Sequence, residues 1–242
     1  MNNLITSRTN PTVLRLLSYK ENPSEDAFLV EGYHLLEMAY EAGLLVEAYG
    51  IKQERYGNVP FTLISDSVLS KLCTSKSPEG VVGVARLPKG KVGYGDKVLL
   101  LDRVQDPGNV GTLLRSALSF GYHDVILLPE CASPLKSKVI AASQGAIFRL
   151  RLHFMEPSQI EKLIADEKLP LVGTALAGAT ALSEFKMPSR HILALGNEGQ
   201  GLSAQLLALS SQKVKIEMEG IDSLNVAIAG SILMYEFSRR QP

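Results

Sequence analysis

Tryptophan is absent from the 242 residues, and only two cysteines occur, Cys73 and Cys131, far apart in sequence. Two distant thiols exclude a disulfide scaffold and a cysteine-rich zinc site, and they favour a reducing interior. The four histidines, His34, His123, His153 and His191, show no HxxxH or HExxH spacing, so no metal site is expected. Net charge is missing too, because 25 Lys and Arg balance 25 Asp and Glu at pH 7. That balance excludes a protein that coats nucleic acid or membrane by bulk positive charge, but it leaves room for a local basic face. No apolar run reaches the roughly 18 residues of a membrane span. The stretch from Met1 to Arg8 holds no apolar signal core, so a soluble, cytoplasmic protein is expected.

What remains is a good core former. Hydrophobic residues make up 45% and charged residues 21%, enough burial to order one or two α/β domains. The first break falls at residues 87–96, where Pro88, Gly90, Gly93 and Gly95 interrupt any apolar period. It sets a domain over residues 1–88, a linker over 89–96 and a larger domain over 97–242. In the first domain, helical patterns cover 11–19, 35–42 and 68–73, the last capped by Ser65 or Asp66. Strand patterns cover 27–30, 44–51, 61–64 and 80–87. This small α/β layer holds no nucleophile or metal cluster, which favours a binding role.

The second domain alternates more strictly. Apolar strands at 97–101, 124–128, 150–154, 171–175, 192–195 and 214–218 are separated by helical stretches at 110–120, 136–148 and 160–167. A final helix is expected from about Asp222 to Arg239. Such alternation predicts a mainly parallel sheet covered on both faces. The final helix is apolar over more than half its circumference, so it needs cover on more than one side. A second copy of the chain is the expected cover, and a central position within the monomer is the alternative.

Ligands of such sheets bind beyond the C-terminal strand ends, which singles out three segments. The first runs from Asp106 and Pro107 to Asn109, Gly111 and Arg115, with Arg115 off the buried stripe of its helix. The second is Gly196-Asn197-Glu198-Gly199-Gln200-Gly201-Leu202, directly after an apolar strand. Its glycine spacing differs from the dinucleotide fingerprint, and it lacks the lysine of a phosphate-binding loop. The third runs from Ile216, Glu217 and Met218 to Ser223, Leu224 and Asn225. A helix cap explains one of Asp222 and Ser223 but leaves Asn225 over.

In order and spacing these segments resemble the SpoU/TrmH branch of the SPOUT superfamily, the RNA 2′-O-ribose methyltransferases. Its motifs N-x-G-x-x-x-R, G-N-E-G-x-G-L and I-P-M-x-G-x-x-S-L-N-V fall on Asn109 to Arg115, Gly196 to Leu202 and Ile216 to Val226. Glu217 replaces the family's usual proline, and Ala227 a frequent serine. Ser7 to Pro11, Phe28 to Gly32 and Ser77 to Val82 resemble the substrate-binding domain of these enzymes, a fold similar to ribosomal protein L30.

The resemblance implies a C-terminal α/β knot, a deep trefoil, and a homodimer with active sites at the subunit interface. It implies S-adenosyl-L-methionine, held by Thr174, Leu195, Gly196, Gly201, Ile216, Met218 and Leu224. Methyl transfer to a ribose 2′-hydroxyl of RNA would be carried by Arg115, Asn109, Glu198, Ser223 and Asn225. In this expectation Glu198 holds Arg115, and the guanidinium acts electrostatically, since arginine keeps its proton in proteins. Structured RNA is the partner, 23S rRNA ahead of tRNA, with no metal and no membrane. Phosphate contacts are expected from Arg8, Arg15, Lys20, Lys71, Lys76, Lys136, Lys138 and Arg149. Two other classes stay open: a non-catalytic RNA-binding or ribosome-assembly protein, and a nucleotide-dependent oxidoreductase.

Overall fold

The structure is a computed structural model that describes residues 4–89, 93–221 and 223–239. Asp222 and the linker positions 90–92 therefore lie outside the described residues. Two compact units emerge: one joins Met1–Pro88 with Ser133–Arg149, the other Lys89–Ala132 with Leu150–Pro242.

The first unit opens with α1 (Pro11–Glu21), where Asn10 accepts from the Thr12 N–H at 2.9 Å and Pro11 presets the first helical φ. There follow β1 (Phe28–Glu31), α2 (Tyr33–Glu41), β2 (Leu45–Gly50), β3 (Phe61–Leu63), α3 (Asp66–Leu72) and β4 (Val81–Ala85). Ser65, rather than Asp66, caps α3 by accepting from the Val68 N–H. The sheet runs β1-β4-β2-β3, with β4 antiparallel to both neighbours and β2 parallel to β3. Central β4 is buried along its whole length, and Val13, Leu16, Leu29, Val68, Leu72 and Val82 form the core of this layer.

The second unit contains β5 (Lys97–Leu101), α4 (Pro107–Ser119) and β6 (Asp124–Leu127). The next helix, α5 (Ser137–Ser143), clusters with the first unit. The helical stretch expected over 136–148 breaks at Gln144 and Gly145, which have φ of 49° and 83°. A short turn, Ala146–Phe148, follows, and its Phe148 stacks on Phe28 with ring centroids 6.3 Å apart.

The chain then returns to the second unit as β7 (Arg151–Phe154), α6 (Ile160–Glu167), β8 (Leu171–Thr174), β9 (Thr180–Ala181), β10 (His191–Leu195), α7 (Ala204–Leu209), β11 (Gln212–Lys215) and α8 (Val226–Arg239). All neighbours in the order β7-β6-β5-β10-β8-β11-β9 pair in parallel. Val98, Leu100, Ile126, Leu171, Ile192 and Ala194 fill one side of this sheet.

Three boundaries beside the motif segments differ from expectation. α4 begins at Pro107, ahead of the expected 110, because Asp106 accepts from the Asn109 N–H at 2.9 Å and opens the helix there. β11 ends at Lys215, so residues 216–218 leave the sheet, and the Glu217 carboxylate accepts from the Ser183 N–H and hydroxyl. α8 starts at Val226 rather than near 222, and its cap is Asn225, whose Oδ1 accepts from the Ala227 and Ile228 N–H groups at 2.9 and 3.2 Å. α8 lies close against α4 and β10: a Cβ at Gly230 would come within 2.5 Å of both Leu195 and Leu113. Among the described residues no helix is long and apolar enough to cross a membrane.

Candidate active site

β5, β10, β8 and β11 are adjacent in the sheet, and the segment after each strand carries one part of the site. After β5 comes the turn that opens α4 and presents Asn109. After β10 comes the glycine-rich turn with Glu198. After β11 come residues 216–221 and 223–225, the last of them Asn225.

Side-chain hydrogen bonds join these three segments. Asn109 Nδ2 donates to Glu198 Oε1 at 2.9 Å, and Asn225 Nδ2 donates to Asn109 Oδ1 at 2.9 Å. Glu198 also accepts from the Asp106 N–H at 3.2 Å and the Gln105 N–H at 3.4 Å, beside the start of α4. Partial burial works against its charge. The Asn109 amide and the backbone N–H groups outweigh that effect and hold the carboxyl below the usual range.

Glu198 is therefore fully engaged elsewhere and does not hold Arg115, contrary to the expectation. Arg115 projects from α4 into solvent, and among the described residues its guanidinium has no hydrogen-bond or ionic partner. The Ser223 hydroxyl is likewise exposed and unpaired among the described residues. Asn225 does double duty, as the cap of α8 and as a donor to Asn109.

The glycine-rich turn is built by Asn197, which is not among the expected site residues. Its Oδ1 accepts from the N–H groups of Gly199 and Gln200, both at 3.0 Å, and its Nδ2 donates to the Arg103 carbonyl at 3.0 Å. An asparagine that bonds backbone two residues ahead is a turn former, and its place between glycines was the available signal. Gly196 permits the turn to close: a Cβ there would lie 2.1 Å from the Gly201 carbonyl carbon.

Of the expected cofactor residues, Thr174 ends β8, Leu195 and Gly196 stand at the end of β10, and Ile216 follows β11. Thr174 Oγ1 donates to the Ala194 carbonyl at 3.0 Å, which ties the ends of β8 and β10 together. Leu195 is buried, whereas Ile216, Met218 and Leu224 are half-buried along the stretch after β11. Leu176, just past β8, is 62% exposed and Ile221 57%, so these segments offer apolar surface. Among the described residues no group of His, Cys, Asp and Glu is arranged to hold a metal.

The expected basic residues fall into three groups, apart from Lys76, which is exposed. Lys71 Nζ donates to the Arg8 carbonyl at 3.3 Å, and Lys20 Nζ to the carbonyls of Lys71 and Cys73, so these three cations cluster on the first unit. Arg15 instead pairs with Glu47 at 2.8 Å, and Arg149 with Glu41 at 3.7 Å. Lys136 and Lys138 are exposed, and with Arg149 they belong to the first unit.

The SpoU rRNA Methylase family model matches residues 96–235, more than half the chain. The chain is 32% identical over 231 residues to the 23S rRNA (guanosine(2553)-2′-O)-methyltransferase RlmP of Bacillus subtilis, covering 91% of this chain and 92% of that one. An AdoMet-bound rRNA methyltransferase from Sinorhizobium meliloti superposes with a TM-score of 0.88 at 26% identity, over 98% and 97% of the two chains. The SpoU methyltransferase AviRb from Streptomyces viridochromogenes, in complex with AdoMet, gives 0.85 at 25% identity, over 96% and 98%. Motif order, sheet architecture and these likenesses agree, and the chain belongs to the SpoU rRNA methylase family.

Proposed function

We propose that this chain methylates a ribose 2′-hydroxyl of RNA, with 23S rRNA as the substrate class and S-adenosylmethionine as the methyl donor. The observation that carries the reading is the hydrogen-bonded line from Glu198 through Asn109 to Asn225, which joins the three motif segments, with Arg115 exposed further along α4.

When bound, S-adenosylmethionine supplies an electrophilic sulfonium methyl group. The residues at the strand ends fit such a group. Ile216, Met218 and Leu224 give half-buried apolar surface for an adenine ring, and the chain around Thr174, Leu195, Gly196 and Gly201 gives backbone donors and acceptors. The neutral 2′-hydroxyl is a poor nucleophile, so the site must favour the alkoxide that develops as its proton leaves to solvent. Arg115 supplies a cation for that charge and a planar fork for an adjacent phosphate. Asn109, with one donor hydrogen and one lone pair to spare, orients the ribose, and Ser223 and Asn225 bracket the same position. Glu198 acts through Asn109 rather than on substrate.

The remaining parts of the reading rest on separate observations. Ile228 and Tyr235 on α8 are 53% and 44% exposed, which supports a homodimer closed over that helix. β10 enters between β5 and β8, and β11 between β8 and β9, an order that supports a chain threaded as a trefoil knot. The Arg8, Lys20 and Lys71 cluster supports RNA binding by an L30-like domain over residues 1–88. A cytoplasmic enzyme is part of the same reading.

The test is transfer of labelled methyl from S-adenosylmethionine to total RNA of a strain lacking the protein, with the label mapped. Label on one 23S ribose, reduced at least 100-fold by Arg115→Ala, is expected. Label confined to tRNA moves the substrate class, and no label despite a Tm rise with S-adenosylmethionine overturns the activity.

A further inference from the structure

We propose that Arg103 is a positioning residue for methyl transfer: it pins the glycine-rich turn so that Glu198 meets Asn109. The inference rests on the reading above, in which Asn109 orients the ribose.

Arg103 follows β5 and adopts a φ of 56°, a left-handed conformation that L side chains rarely occupy. Glycine would take that conformation without strain, so the arginine side chain must contribute something glycine cannot. Its guanidinium reaches three acceptors. Nε donates to Asp102 Oδ1 at 3.2 Å, Nη1 to Gln200 Oε1 at 3.0 Å and Nη2 to the Gly201 carbonyl at 3.4 Å. The Arg103 carbonyl, in turn, accepts from Asn197 Nδ2 at 3.0 Å.

One residue thus holds the turn at Asn197, Gln200 and Gly201, and Glu198 lies inside that span. Asp102 completes the clamp. It is 2% exposed, and while one carboxylate oxygen faces Arg103 the other accepts from the Ser203 N–H at 2.7 Å, just past the turn. A planar fork is needed for acceptors on three separate residues, and a lysine ammonium cannot span them. Glu198 itself is exposed; Asn109, Asp106 and Gln105 hold it from the far side of the turn, and within the turn it has only a long bond from Asn197 Nδ2 at 3.5 Å. Besides the Arg103 staple, the near side is held by the Asn197 side chain, by the paired backbone bonds of Asn197 and Gly201 at 2.9 and 3.0 Å, and by the Asp102 bond to Ser203.

Arg103→Gly separates this role from a purely structural one, because it removes the staple and relieves the backbone at once. Relief of the left-handed backbone offsets part of the lost Asp102 pairing, so Tm should fall only slightly, while kcat drops about ten-fold and KM for S-adenosylmethionine changes by less than that. In the ligand-free protein, hydrogen exchange at the N–H groups of Gln105, Asp106, Gly199 and Gln200 should quicken at least five-fold, with the rest of the sheet unchanged. Gln200→Ala, at an exposed position, removes one arm only and should cut kcat about three-fold with faster exchange at Gly199. Unchanged exchange at these groups in both variants, or kcat within two-fold of wild type in both, overturns the assignment. A wild-type protein that methylates no RNA defeats the activity reading alone, since the exchange result still decides what Arg103 does.

Discussion

Asn109 and Glu198 meet at 2.9 Å although 89 residues separate them in the chain. The contact brings a carboxylate to the start of α4, where it gathers the backbone N–H groups of Gln105 and Asp106 as well. A helix N-terminus attracts negative charge, and three donors around one carboxylate favour its ionised form. The result is an asparagine with its amide plane fixed from both sides, by Glu198 at one end and Asn225 at the other.

Glu198→Gln tests that arrangement. Glutamine keeps one acceptor but turns an NH2 group towards donors that need an acceptor, so the Asn109 amide loses its fixed orientation. kcat should fall by about 10- to 100-fold, equivalent to roughly 1.4–2.7 kcal/mol of barrier. KM for S-adenosylmethionine should change less than kcat, because the Glu198 side chain points its hydrogen bonds at Asn109 and the start of α4. Steady-state kinetics beside a melting curve check this, and kcat within two-fold of wild type refutes the role of Glu198.

Two glycines of the second unit should respond differently to alanine. At Gly196 the new Cβ would lie 2.1 Å from the Gly201 carbonyl carbon and 2.2 Å from the Leu202 nitrogen, and backbone cannot move aside without opening the turn. Gly196→Ala should abolish cofactor binding. At Gly230 the obstacles are the ends of the Leu195 and Leu113 side chains, at 2.4 and 2.5 Å, which can rotate. Gly230→Ala should cost about 1–3 kcal/mol through overpacking, with cofactor affinity retained. Calorimetric titration with S-adenosylhomocysteine and urea unfolding of both variants distinguish the two, and equal cofactor affinities would contradict this account.

Much of this was legible beforehand, and the exceptions have physical causes. β5 and β10 are unbroken apolar runs between turn signals, and the motif residues do stand after strands. β9 and α7, at two and six residues, are too short to show a period. The start of α8 was misplaced because aspartate, serine and asparagine all cap helices well. The choice fell to Asn225, whose amide is also bonded to Asn109, 116 residues away. No local pattern encodes that contact, nor the one that occupies Glu198 and leaves Arg115 free of it. Glu217, the departure from the family pattern, finds its use in Ser183, again across the fold.

α8 offers a test of assembly. Ile228 and Tyr235 are exposed on a helix that otherwise buries Val226, Ala227, Leu233, Met234 and Phe237. A second copy over this face would hide both side chains, so Ile228→Glu should bury an unpaired charge and dissociate the dimer. Light scattering of wild type at micromolar concentration should give a dimer and the variant a folded monomer with methylation lost. A monomeric wild type that methylates RNA at full rate would refute the assembly.

His191 makes the second unit sensitive to acid. It is fully buried at the start of β10, with Nδ1 2.8 Å from the Pro188 carbonyl and Nε2 2.7 Å from the Tyr122 hydroxyl. A carbonyl only accepts, so Nδ1 carries the proton and Nε2 accepts from Tyr122. Burial pushes the imidazole from 6.5 to about 4, the Pro188 bond opposes the shift, and Lys97 adds to it. Between those values the unfolded chain binds a proton that the folded chain refuses, so stability falls as pH drops from 6.5 to 4. The depressed value corresponds to about 3 kcal/mol, fully present above pH 6.5 and lost by pH 4. Asp124, held well below the usual carboxylate range by His153, Arg151 and the Gly95 N–H against the opposing effect of burial, loses its contribution only at lower pH. Urea unfolding at pH 7, 5.5 and 4.5 should show the decline beginning in the histidine window. His191→Gln should flatten that part of the profile, and a wild-type profile level between pH 6.5 and 4.5 would refute a neutral, buried His191.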